Sequence, residues 1–165
     1  LTKKNNEEMA RIYSRLYKMN IHGLRFFTVY GEWGRPDMFM LKLFKASIEK
    51  KLFYLNNFGN HKRDFTYIHD ATTSLYKIMK KKKQGNEVIN ICSDKPIKIL
   101  DIINHFKKNN YINVKLTKMH RADVKDTHGD NKKIKKALKR IKFSKFYRCL
   151  ETTYEWYKKN NISKI

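Results

Sequence analysis

GLRFFTVYGEWGRPDMF, residues 23–39, is the stretch on which the reading of this chain turns. Its first half is an apolar run. Residues 21–29 read as a strand apolar on both faces, the kind buried inside a parallel sheet. The run breaks at Tyr30-Gly31, and Trp33, Gly34, Arg35, Pro36 and Asp37 then make neither strand nor ordinary turn. An aromatic and an arginine are therefore held at the end of a buried strand. Asp37 is placed to cap a helix running to about Glu49.

The elements on either side alternate. Met9, Ile12, Tyr13, Leu16 and Tyr17 recur at three-to-four spacing and predict a helix over 2–19. Short strands are expected at 52–55 and 64–68, separated by the turn-rich NNFGN at 56–60. Asp70 starts a helix to about Lys82, and EVINIC (87–92) reads as a second buried strand. An amphipathic helix over 99–108, a strand over 112–117 and helices over 131–139 and 147–159 complete an α/β chain without repeats or internal linkers. Two or three strands buried on both faces cannot cover one another. The chain reads as the second half of a larger unit.

Composition narrows the class. A length of 165 residues suits one domain. No run of about 18 apolar residues and no signal-peptide pattern occurs, so no membrane association and a cytoplasmic location are expected. Cys92 and Cys149 stand apart and the six histidines are scattered, which predicts free thiols and no metal site. The net charge of +23, from 38 basic and 15 acidic residues, has two readings. One is a nucleic-acid footprint. The other is the lysine, asparagine and isoleucine bias of an AT-rich genome, and the spread of lysines along the whole chain favours it. Nucleic acid is not the expected partner.

LTKKNNEEMARIYSRLYKMNIHGLRFFTVYGEWGRPDMF, HKRDFTYIHDA, EVINICSDKPIKILDII and MHRADVKDTHGD stand here in one order and spacing. In this the chain resembles the NAD-dependent epimerase/dehydratase family, the extended short-chain dehydrogenase/reductases, and among them the UDP-glucuronate 4-epimerase type. The resemblance runs from Thr2 to about Asn160 and matches the C-terminal half of such enzymes. It implies a Rossmann-like fold with its substrate-binding region. Residues 1–50 would close the NAD-binding core, and 51–165 would mix the substrate region with the last core elements. It also implies NAD as cofactor, a UDP-sugar as substrate and a homodimer formed through helices that include the one beginning at Thr2. The implied reaction is epimerisation at C4 of the sugar, for surface-polysaccharide precursors. A dehydratase or an epimerase of another UDP-sugar is the alternative within the family. A non-catalytic basic nucleic-acid-binding module is the alternative outside it.

Residue roles follow from the same resemblance. Lys3 matches the catalytic lysine, which holds the nicotinamide ribose and lowers the pKa of a tyrosine four residues earlier. That tyrosine's position precedes Leu1, and the glycine-rich turn that holds the NAD pyrophosphate is absent from the 165 residues. This half alone is expected to be inactive. Phe27 would lie against the nicotinamide and Thr28 beside the sugar. Arg35 would take a sugar carboxylate through its planar fork, the alternative being a pair with Asp37. Tyr54 would wall the uridine pocket or simply pack in the core. Arg63 would bind the diphosphate, against the alternative of a surface pair with Asp64, and Asp123 would accept from the uridine ribose. Glu32 stands where close relatives have proline and Ala122 where they have glycine. Glu32 would set a second anion near the sugar site.

Overall fold

The computed structural model describes residues 2–81, 85–119, 124–139 and 141–160. The decisive stretch does not form one strand. β1 (Ile21–Phe26) runs parallel to β5 (Asn86–Ile91), with Phe26 opposite Ile91. The Phe27 N–H still donates to the Ile91 carbonyl at 3.3 Å. β2 (Thr28–Tyr30) then changes partner and pairs in parallel with β4 (Lys62–Tyr67), Thr28 facing Phe65. Nor is β1 buried on both faces: Arg25 and Phe26 are exposed. Arg25 brings a charge into the run, and Glu7 of helix α1 (Thr2–Leu16) meets it in a two-pronged pair at 2.6 and 2.7 Å.

β6 (Pro96–Lys98) joins the other edge of β4 antiparallel, and β3 (Leu52–Leu55) pairs in parallel with β7 (Asn113–Leu116). Between them lie α2 (Phe39–Ile48), a 3-10 turn at Asn56–Gly59, α3 (Ile68–Met79), α4 (Ile99–Lys107), α5 (Lys132–Ala137) and α6 (Phe146–Lys159). Asp70 falls in the first turn of α3 instead of starting it. Its carboxylate accepts from the Ser144 N–H and hydroxyl at 2.8 and 2.9 Å, tying α3 to the approach of α6.

Two apolar clusters hold these elements together. In the larger, Phe44 of α2 packs its ring 5.3 Å from Tyr154 and 5.7 Å from Tyr157 of α6, and 5.9 Å from Phe106 of α4. In the smaller, Ile89 and Ile91 of β5 pack with Ala71 and Ile78 of α3 and Ile134 of α5. Each such large side chain, fully buried, contributes roughly 1.5–3 kcal/mol. α1 stands outside both clusters. Its stripe of Met9, Ile12, Tyr13 and Leu16 is exposed, Leu16 to 68%, as is Tyr17 just past its end, and Ser14 is its buried residue. No helix among the described residues is long and apolar enough to cross a membrane. No cluster of three His, Cys, Asp or Glu side chains among them could hold a metal ion.

Candidate functional site

The loop after β2 is built to hold Arg35 still. Gly31 has φ 142°, and a Cβ there would lie 2.2 Å from Ile68 Cγ2, so no side chain fits. Trp33 takes a left-handed φ of 58° and is steadied edge-on by Trp156 of α6, ring centres 5.1 Å apart. The buried Tyr157 hydroxyl clasps the turn at both ends. It accepts from the Gly34 N–H at 2.7 Å and donates to the Gly31 carbonyl at 3.3 Å. Burial raises the Tyr157 pKa, which keeps the hydroxyl protonated for that second bond.

Arg35 leaves this clasp exposed, with its fork closed on Asp37 at 2.6 and 2.9 Å. The Arg35 hydrogen bonds hold the Asp37 carboxyl below its usual range. Asp37 therefore does not cap α2. The N-cap position falls on Met38, and no side chain caps it. A two-pronged bond between opposite charges is stronger than a single bond to a neutral N–H. Glu32 is turned away from the site. The Tyr67 hydroxyl donates to its Oε1 at 2.8 Å, and His69 Nε2 lies 3.6 Å from Oε2. Burial first and this Glu32 contact second raise the Tyr67 pKa.

Beside the loop opens a cleft of about 730 Å³ between α2, β3 and β4. Its floor is aromatic: Phe39 meets Phe53 at 5.9 Å and Phe65 at 6.2 Å. Thr28, Tyr54 and Arg63 line it, and Pro36 and Asp37 form its rim nearest Arg35. Tyr54 is exposed, with Lys115 Nζ 6.0 Å from its ring centre, so it is a wall and not core packing. Lys42, Lys45, Lys51 and Arg63 set four cations against the carboxylates of Asp37 and Glu49. Glu49 bonds Lys51 at 2.8 Å and lies 3.9 Å from Lys45. Lys42 and Arg63 make no ion pair within 4 Å among the described residues, though Lys42 lies near enough to Asp37 to lower its pKa.

Arg63 and Asp64 point opposite ways from β4, as neighbours on a strand must. The Arg63 fork donates to the carbonyls of Lys62, Lys125 and Val124 at 2.9, 2.8 and 2.6 Å. It is no surface partner of Asp64. Three of its five N–H groups are used in this way, and two remain. Val124 follows Asp123, which lies outside the described residues, as does Ala122. Asp64 is fully buried. It accepts from the Ser93 N–H and hydroxyl at 3.1 and 2.7 Å and from the Asp94 and Gly129 N–H groups at 3.1 Å each. Burial, and secondarily the Asp64 charge, push the Cys92 thiol up to about 12.

Lys3 and Phe27 lie apart from the cleft. Lys3 is exposed on the first turn of α1. Phe27 is half-buried at the point where β1 hands over to β2. Its ring packs so closely on Gly129 that a Cβ there would sit 2.6 Å from Phe27 Cζ. An exposed ammonium and an apolar ring suit the nicotinamide riboside end of NAD. The Asp64 network, the Tyr157 clasp and the three cleft lysines were not singled out from the sequence. Lysine on the solvent face of a helix carries no local mark, and the partners of Asp64 and Tyr157 are distant in the chain.

An α/β architecture with parallel strand pairs and a large cleft between α2, β3 and β4 is that of the Rossmann-like class. Within it, the chain belongs to the NAD dependent epimerase/dehydratase family, whose family model matches residues 1–92. It is 41% identical to an uncharacterized protein of Methanocaldococcus jannaschii over 83% of this chain and 42% of that one. It is 36% identical to the UDP-glucuronate 4-epimerase of Thermodesulfobacterium geofontis over 96% of this chain and 50% of that one. Among solved structures it resembles the UDP-glucuronic acid 4-epimerase of Bacillus cereus in complex with UDP-glucuronic acid and NAD. The TM-score is 0.86 and the identity 31%, covering 96% of this chain and 51% of that one. The chain thus spans about half of the length of these relatives, from 42% to 51%.

Proposed function

We propose that this chain is the C-terminal part of an NAD-dependent nucleotide-sugar 4-epimerase of the UDP-glucuronate/UDP-galacturonate type, a cytoplasmic enzyme supplying surface-polysaccharide precursors. In this reading residues 1–50 close the NAD-binding core, and 51–165 carry the substrate region with the last core elements. The observation that carries the proposal is the cleft, where Thr28, Tyr54 and Arg63 meet with a surplus of cations and where Asp37, the partner of the Arg35 fork, forms part of the lining. Two N–H groups of Arg63 have no partner among the described residues and serve the diphosphate, and Lys42 lines the same cleft. Asp123 serves the uridine ribose and Tyr54 walls the base. Thr28 meets the sugar, and Arg35 takes its carboxylate.

Lys3 and Phe27 hold the nicotinamide end of NAD, Lys3 also being the catalytic lysine. Bound there, NAD supplies a hydride acceptor and donor for sugar C4. This chain's own contribution is to fix the diphosphate, so that the sugar can turn while the nucleotide stays in place. The exposed apolar stripe of α1 supports a homodimer.

The test separates anchor from recognition in the full-length protein. Arg63→Ala should weaken UDP, UDP-glucose and UDP-glucuronate alike, by about 2–4 kcal/mol, because a phosphate loses its charged partner in a partly dehydrated site. Arg35→Ala should spare UDP and UDP-glucose and weaken UDP-glucuronate alone. Calorimetric titration with the three ligands at fixed salt reads this out. Equal losses for all three in Arg35→Ala, or unchanged UDP affinity in Arg63→Ala, would remove that residue from the site.

A further inference from the structure

We infer that Asp37 is an internal stand-in for the substrate carboxylate. It occupies the Arg35 fork in the free protein, and an acidic sugar binds by displacing it. This rests on the reading of Arg35 as the residue that binds the sugar's carboxylate. Three observations carry the exchange. The Arg35–Asp37 pair uses Nε and Nη2 against both carboxylate oxygens, one of the two guanidinium faces that can take a carboxylate through two bonds. Asp37 lines the cleft whereas Arg35 does not, so the internal carboxylate stands between the fork and the space a ligand would enter. Asp37 also has somewhere to go. It stands one residue before Met38, the N-cap of α2, a helix whose N-terminus has no side-chain cap and no acidic residue in its first turn. A helix start leaves N–H groups without partners and favours a negative charge.

Asp37 thus has two stations, Arg35 and the start of α2, and the ligand decides between them. Lys42 belongs to α2, lines the cleft and already lowers the Asp37 pKa, so a cation stands on the α2 side of Asp37 as well. The consequence is a specificity device. A neutral sugar gains nothing from Arg35, which stays closed on Asp37. An acidic sugar gains the fork only after the exchange.

Asp37→Asn tests this in the full-length protein, because it removes the charge and keeps the shape. Exposed ion pairs are weak. UDP-glucuronate should therefore bind about two- to fivefold more tightly to Asp37→Asn, with UDP and UDP-glucose unchanged. Asp37→Glu, with a longer reach to the fork, should leave UDP-glucuronate no tighter than in the parent. The same titrations on Arg35→Ala separate the two levels. If Arg35→Ala selectively weakens the acid but Asp37→Asn leaves it unchanged or weaker, the exchange is wrong and the reading of Arg35 stands. If Arg35→Ala does not discriminate acid from neutral sugar, that reading falls and the exchange falls with it.

Discussion

Asp64 accepts four hydrogen bonds in a place closed to water, from donors 29, 30 and 65 residues along the chain. It joins β4 to the turn after β5 and to the segment around Gly129, which in turn carries the packing of Phe27. Asp64→Asn would set an amide N–H₂ against N–H donors whichever way the side chain turned. A buried donor left facing another donor costs its full desolvation. The variant should lose about 2–4 kcal/mol, read from urea or thermal denaturation. A loss under about 1 kcal/mol would show that water or a shifted backbone repairs the network. From sequence, Asp64 looked only like the neighbour of Arg63, because alternation along a strand says that the two point apart but not which one turns inward. Arg35 illustrates the converse. Its two candidate partners could be named, while the closure on Asp37 is a matter of loop geometry that no spacing rule supplies.

At the scale of elements, the outcome depended on whether the signal was local. β3 lies at 52–55 as read, and α4 at 99–107 against an expected 99–108, since periodicity and flanking turns fix such pieces. The break at Phe27 was hidden. Both halves of the run are apolar, and nothing local says that the partner changes from β5 to β4. β6 escaped notice because it is three residues long, begins at Pro96 and exists only as an edge to β4. The Tyr157 clasp belongs here too, since one hydroxyl on α6 fixes the turn that ends β2. Tyr157→Phe would leave the Gly34 N–H and the Gly31 carbonyl without their partner, at about 1–3 kcal/mol of stability. If the clasp positions Arg35, the same variant should weaken UDP-glucuronate more than UDP. An equal loss for both ligands would mark Tyr157 as a packing residue with no part in recognition.

At the scale of the whole molecule, the cleft is walled by α2, β3 and β4, whereas α1 presents its apolar stripe outward and Lys3 is exposed on its first turn. The 165 residues contain no glycine-rich turn for a dinucleotide pyrophosphate, and they span half or less of the relatives' length. Two properties should therefore come apart in the purified chain. It should show no interconversion of UDP-glucuronate and UDP-galacturonate and carry no NAD, assayed by product chromatography and by cofactor released on denaturation. It should still bind UDP, and more weakly as salt rises, because four cations and two carboxylates line the cleft and a diphosphate in it is partly screened. Turnover or co-purified NAD would overturn the first expectation, and an absence of UDP binding the second. The net charge of +23 gives the competing view its own test. As a general basic surface, the chain should hold duplex DNA only in the non-specific range of about 10⁻⁴–10⁻⁶ M at physiological salt. Binding far tighter than that, undisturbed by UDP, would make nucleic acid the partner and the cleft a remnant.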